Sequence, residues 1–275
     1  MTSEPVTVLG SELRVMQSKH TGRTYRITIS LPYAYSKPRV EGWPVVYLLD
    51  ANFYFGMVTD IVRSMAWCGR TTDAIVVGIG YPEDEDPQEV LREAQARRHM
   101  DFTPVRSEER EKRIGELTKR PILTGDAGHF HRYIKDELIP FIEREYRADP
   151  SRRILAGHSL GGDFVAFALF EAPDLFDTFI IGSHSPGEND RFTFKREEAF
   201  AKEHKQLPAK VYLSVGELEE EADNTTLTDM LRLAALLQSR NYEGLSLVKQ
   251  VFVDQNHCEV LAPGFQAGLK FALKK

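Results

Sequence analysis

Short, mostly apolar runs recur along this chain at residues 45–49 (VVYLL), 74–79 (AIVVGI), 154–156, 179–181, 211–215 (VYLSV) and 248–253, and helix-length segments separate most of them. A strand that alternates apolar and polar residues hides one face, whereas a strand apolar throughout must be covered on both. The pattern therefore predicts a mostly parallel sheet with helices on both faces, an α/β architecture. Before it, residues 6–31 carry shorter β-rich pieces (VTVL, LRVMQS, TYRITISL) broken by Gly-Ser and His-Thr-Gly, which read as antiparallel strands at a sheet edge.

Helices follow from the spacing between runs. Over residues 127–146, Phe130, Tyr133, Ile134, Leu138, Phe141 and Ile142 recur at helical intervals, with Pro140 expected to kink the helix or end its first part. A second helix is expected from Gly161 to a stop before Pro173, and a third over residues 227–240, closing near Asn241 and Gly244. At 275 residues the chain suits one domain, 1–275. A charged segment interrupts it: 20 of the 38 residues from Glu83 to Arg120 are charged, punctuated by Pro82, Pro87 and Pro104. Such a stretch belongs at the surface, partly helical, either as a solvated excursion or as a small lid over about 83–126.

Charge and cysteine content narrow the function classes. A net charge of −6 argues against nucleic acid as a partner of the whole fold. Two cysteines, Cys68 and Cys258, make neither a disulfide framework nor a CxxC pair. The pair His129 and His131 lacks a third ligand at a credible spacing, so no metal is expected. With neither a basic-then-apolar leader nor an 18-residue apolar window, a soluble cytoplasmic protein without membrane contact is the expectation.

Chemistry enters at Gly157-His158-Ser159-Leu160-Gly161-Gly162, a G-x-S-x-G pattern between a predicted buried strand and a predicted helix. A sharp strand-to-helix turn of this kind exposes a serine in a strained conformation, with glycines where side chains would collide. Ser159 is thus the candidate nucleophile. Its hydroxyl needs a base, and the base an orienting carboxylate, in the chain order Ser, acid, His. Among the later histidines, His184 comes too early, His204 lies in a charged helical stretch, and His257 follows the last apolar strand. His257 is the expected base, so kcat/KM should rise with pH through roughly 6–7.5. The acid belongs after strand 211–215, in Gly216-Glu217-Leu218-Glu219-Glu220-Glu221. Glu219 is the first choice and Glu217 the second, ahead of Asp223 and Asp254. Leu160 should supply one oxyanion N–H and the turn after VVYLL the other, from Asn52 or alternatively Ala51, with Asp50 tying down that turn. Phe53, His158 and Ser185 are expected to line the substrate pocket, and Trp43, Tyr54 and Phe55 are further aromatic candidates. No organic cofactor is required.

These stretches, with 44–50 (PVVYLLD), Asp101-Phe102-Thr103-Pro104 and the Pro-containing helix, resemble the putative esterase branch of the α/β-hydrolases. That group includes enterochelin and salmochelin (IroE-like) esterases, esterase D, feruloyl esterases and antigen 85 mycolyltransferases. Order and spacing are most similar to the IroE-like esterases, over roughly residues 25–273. The resemblance implies an α/β-hydrolase fold, Ser159 as nucleophile, His257 as base, donors near Asn52 and Leu160, and a glutamate acid, with Glu219 and Glu217 both open. It implies a serine esterase acting on a small-molecule ester, of small to medium acyl length first and a siderophore trilactone as a specialised case. Acyl transfer would use the same residues, while a non-catalytic scaffold would have no need of them. A ferric trilactone is a trianion, yet Arg97, Arg98, Lys119 and Arg120 lie among 11 acids and read as surface salt-bridge partners.

Overall fold

The apolar runs pack back to back with helices because each strand side needs its own cover. In the computed structural model, which describes residues 7–82, 86–185, 188–221 and 224–275, they form one eight-stranded sheet. Its strands are β1 (Ser11–Gln17), β2 (Thr24–Ser30), β3 (Trp43–Leu48), β4 (Ile75–Gly80), β5 (Ala148–His158), β6 (Thr178–Gly182), β7 (Lys210–Gly216) and, after the small β8–β9 hairpin (Glu220–Glu221, Asn224–Thr225), β10 (Ser246–Phe252). The order is β1-β2-β4-β3-β5-β6-β7-β10. β1 and β2 pair antiparallel at the edge, β2 joins β4 antiparallel, and the remaining pairs are parallel.

Alternate residues of each inner strand serve opposite faces. Val46, Leu48, Ile154, Ile180 and Tyr212 join one buried cluster with Val58, Val62, Phe265 and Leu269, from helices α1 (Ala51–Trp67) and α9 (Leu261–Ala272). Val45, Tyr47, Leu155, Phe179 and Leu213 join the other, with Phe130 and Phe164. That second face carries α2 (Pro87–Phe102), α4 (Ala127–Tyr133), α5 (Ile139–Glu145), α6 (Leu160–Glu171), α7 (Glu188–Glu203) and α8 (Thr226–Arg240), with α3 (Glu108–Thr118) packed against α2. Each fully buried Val, Leu, Ile or Phe contributes roughly 1.5–3 kcal/mol. Among the described residues no helix is long and apolar enough to cross a membrane.

Three local expectations change. Residues 7–10 form no strand, because Gly10 (φ 64°) turns the chain before β1, and Val6 lies outside the described residues. The run at 248–253 is an edge strand with Val248 partly exposed, since β10 pairs only with β7. Pro140 neither ends nor breaks its helix. A π-helical turn over Ile134–Leu138 precedes α5, and Pro140 falls in the first turn of α5, so its missing N–H is absorbed by the wider turn.

The charged segment is helical, but its inner side is structural. Arg98, His99, Asp101, Phe102 and Thr103 of α2 and its cap are buried, so this part is no solvated excursion. The Thr103 hydroxyl donates to the His99 carbonyl and accepts from Gly125 N–H, both at 2.7 Å, closing the segment back onto α4. Arg23 Nη2 bridges Asp101 and Asp126 at 2.5 and 2.6 Å, fastening the same junction to β2. Residues 83–85, the start of the segment, lie outside the described residues.

Candidate active site

Four strand ends converge at the carboxyl edge of the sheet, where open α/β sheets place ligands. β5 ends at His158 and α6 begins at Leu160, leaving Ser159 alone in the turn at φ 59° and ψ −127°. A non-glycine residue there costs of order 1–3 kcal/mol, so the surroundings must impose it. They do: Ser159 N–H donates to Gly182 O of β6 at 2.8 Å, and Asp163 N–H closes the first helical turn onto Ser159 O at 3.0 Å. A Cβ on Gly157 would stand 2.4 Å from Gly161 O, so the turn closes only around glycine.

His257 comes from the loop after β10. Glu217 N–H donates to Phe252 O at 2.9 Å and Leu218 N–H to Gln255 O at 3.0 Å, lacing that loop to the turn after β7. The lacing needs Gly216, because a Cβ there would lie 2.2 Å from Gln255 O. Asn256 Oδ1 accepts from Cys258 and Glu259 N–H at 3.0 and 3.1 Å, fixing the turn that carries His257.

Of the carboxylates proposed from the sequence, the structure brings Glu219 to His257. Its Oε2 lies 2.5 Å from His257 Nδ1, while Oε1 accepts from Ser183 Oγ at 2.7 Å and Gly216 N–H at 2.8 Å. Glu219 is 2% exposed. Burial alone would raise its pKa, but the hydrogen bonds from His257, Gly216 and Ser183 outweigh burial and hold it below the ordinary carboxylate value. With Nδ1–H assigned to Glu219, His257 Nε2 is left as the accepting nitrogen. Glu217 points elsewhere and accepts from Asp254 N–H at 3.0 Å. Asp223 lies outside the described residues. Ser183 carried no sequence signal beyond being a polar residue just past β6.

His158 was expected in the substrate pocket and is instead buried, at 4% exposure. Its Nε2–H donates to His257 O at 3.0 Å, and the two rings lie 4.8 Å apart, so it docks the His257 loop against the residue preceding Ser159. Burial and neighbouring His257 push its pKa down to about 4, and burial with Arg98 takes His99 down to about 3. Below the ordinary histidine value of about 6.5 the unfolded chain binds protons that these folded rings refuse, so stability is lost as the pH is lowered through that window. Between pH 7 and pH 5 each should withdraw roughly 2 kcal/mol, and His158→Gln should shrink the loss measured by urea unfolding by that amount.

The aromatic candidates divide. Trp43 begins β3, at the far end of the sheet beneath Arg39, and Phe55 is buried in the core, so neither lines the site. Phe53 is half-buried beside Tyr54, whose ring meets His158 edge-on at 6.5 Å. Ser185 is half-buried beyond β6, its N–H on Asp163 Oδ1 at 3.2 Å and its hydroxyl 3.1 Å from Thr226 Oγ1. Neighbouring His184 is buried on the same Asp163 oxygen at 2.6 Å. His129 rests on Asp126 at 2.5 Å in the first turn of α4, and His131 is buried.

Two helix starts face this edge. The first amides of a helix have no partner within it, which leaves Leu160 N–H at the start of α6 and Ala51 and Asn52 N–H at the start of α1. The Asn52 side chain fixes the second start, accepting from Tyr81 N–H at 2.7 Å and donating to Tyr81 O at 3.1 Å. Arg97 and Arg120 pair with Glu93 and with Glu89 and Glu93 at the surface, as expected, whereas Arg98 is buried on Asp50.

The family described as Putative esterase matches residues 18–256. The ferri-bacillibactin esterase BesA of Bacillus subtilis is 35% identical, over 99% of this chain and 92% of its own. A siderophore enterobactin esterase of Emericella nidulans is 30% identical over 61% of this chain and 55% of its own. The crystal structure of the BES protein from Bacillus cereus superposes with a TM-score of 0.83 at 29% identity, covering 100% of this chain and 99% of that one.

Proposed function

Because this chain belongs to the Putative esterase family and is a carboxylic ester hydrolase, we propose that Ser159, His257 and Glu219 perform its reaction through a covalent acyl-enzyme. The observation that carries the assignment is the buried Glu219 hydrogen-bonded to His257 Nδ1 at 2.5 Å, with the His257 loop docked on the strand end that precedes Ser159.

The Ser159 hydroxyl attacks the ester carbonyl while His257 Nε2 takes its proton, and Glu219 stabilises the resulting imidazolium. The tetrahedral oxyanion is held by Leu160 N–H and by Asn52 N–H, with Ala51 N–H the alternative. Collapse expels the alcohol, protonated by His257. Water then attacks the acyl carbonyl as His257 takes its proton, and collapse of the second tetrahedral intermediate breaks the bond to Ser159 Oγ, which recovers that proton from His257 as the acid leaves.

For the substrate we infer a siderophore ester, the specialised reading from the sequence, supported by the names of the relatives above. The test compares a ferric tris-catecholate trilactone with p-nitrophenyl acetate, butyrate, octanoate and laurate. The trilactone should exceed the best simple ester in kcat/KM by about 100-fold, a margin set by binding energy from groups remote from the scissile bond. A preference for simple esters would overturn the siderophore reading and leave the catalytic residues standing.

A further inference from the structure

We propose that Arg98 is a positioning residue for ester hydrolysis: it holds the Asp50 carboxylate away from the helix amides that receive the oxyanion, and neutralises it there. The inference rests on the reading of Ser159 as nucleophile and of the α1 and α6 amides as oxyanion donors.

Asp50 occupies the position before α1 in the left-handed conformation, φ 57° and ψ 40°. An aspartate before a helix ordinarily caps it, its side chain accepting from the second or third helical N–H. Here those are Asn52 and Phe53, and the first is a proposed oxyanion donor. No such cap forms. Instead the Asp50 backbone carbonyl accepts from Phe53 and Tyr54 N–H at 2.9 and 3.2 Å, and neither Ala51 nor Asn52 N–H goes to that oxygen. The carboxylate turns to Arg98, with Nε on Oδ1 and Nη2 on Oδ2, both at 2.8 Å. Asp50 is 1% and Arg98 7% exposed, so this fork is not shared with solvent.

The second half of the argument is electrostatic. A Cβ built on Gly161 would lie 2.9 Å from Asp50 Oδ2, so the carboxylate packs against the first turn of α6 as well as the start of α1. Both helix N-termini favour negative charge. Without Arg98 a fixed anion would occupy the region where the reaction must develop another, and its oxygens would be free to cap Asn52 N–H. Paired in a bidentate fork, the carboxylate keeps its shape in the turn while its charge and lone pairs are engaged. Arg98 belongs to α2, so the charged segment reaches the reaction through its buried side, from beneath the turn.

The experiment measures kcat and KM on p-nitrophenyl butyrate for Arg98→Met, Arg98→Lys, Asp50→Gly and the double variant Asp50→Gly/Arg98→Met. Rates are divided by the fraction of Ser159 labelled to completion by a fluorophosphonate, which counts folded sites. Arg98→Met should lower kcat by about 100-fold, the scale of one lost oxyanion donor, with KM within about threefold. Adding Asp50→Gly, which tolerates the left-handed turn and removes the carboxylate, should recover about tenfold of that loss. Arg98→Lys keeps the charge without the fork and should fall between wild type and Arg98→Met. A normal kcat per labelled site in Arg98→Met, or a double variant slower than the single, would overturn the proposal. Should Arg98→Met not fold, an Arg98→Lys kcat equal to wild type would overturn it and about a tenfold loss would support it. An unlabelled Ser159 in the wild type would instead remove the underlying catalytic reading.

Discussion

Ser159→Ala will lower the initial rate on p-nitrophenyl butyrate by about 10⁴-fold or more and abolish fluorophosphonate labelling, since the rest of the site supplies only binding and oxyanion stabilisation. The change should leave the fold in place. The backbone bonds that hold the turn, Ser159 N–H to Gly182 O and Asp163 N–H to Ser159 O, do not involve the hydroxyl. The thermal midpoint should therefore stay within a few degrees of wild type, about what 1 kcal/mol moves in a chain of this size. A folded variant keeping more than about a hundredth of the rate, far above what loss of a nucleophile leaves, would place the nucleophile elsewhere.

The second large effect separates the two glutamates. Glu219→Gln should cost about 10³–10⁴-fold in kcat, because the amide keeps the side chain's shape but removes the charge that stabilises the imidazolium and fixes the His257 tautomer. Glu217→Gln should stay within about threefold, as expected for a surface change away from the reacting atoms, since the Glu217 carboxylate accepts from Asp254 N–H rather than from His257. Glu219 also bears on stability. Its folded pKa is depressed, so its contribution is complete at neutral pH and is lost as pH falls through that lowered value. Urea unfolding of Glu219→Gln from pH 7 to pH 3 should show that acid-side loss reduced. Equal losses of kcat in the two variants would remove Glu219 from its assigned role.

These predictions draw unequally on the sequence. Ser159 is legible because the elbow is local: a buried strand, a strained residue and close-packed glycines all fall within six consecutive residues. His257 is legible through chain order, since a parallel sheet brings successive strand ends to one edge and the last strand must deliver the last group. The fully apolar runs dictated two-sided cover in the same way, and the helices over 127–145, 160–171 and 226–240 followed from periodicity and stop signals.

Other features depended on distance in space. Glu217 and Glu219 sit two residues apart on one turn, and only the lacing of that turn to the loop after β10 puts one beneath His257 and the other on Asp254. From the sequence, His158 reads as a pocket residue and Arg98 as a surface salt-bridge partner. The first became the dock of the His257 loop and the second the partner of an aspartate 48 positions away.

By itself, then, the sequence determined the layered α/β architecture, the strained serine turn and the order in which its partners arrive, because strand burial, helical periodicity and tight-turn sterics act over a few residues. Only the tertiary structure decided which carboxylate meets the imidazole, which buried cation pairs with Asp50 before α1, and which polar residues are fastenings. Those outcomes follow from desolvation and hydrogen-bond satisfaction among groups that fold together from distant parts of the chain.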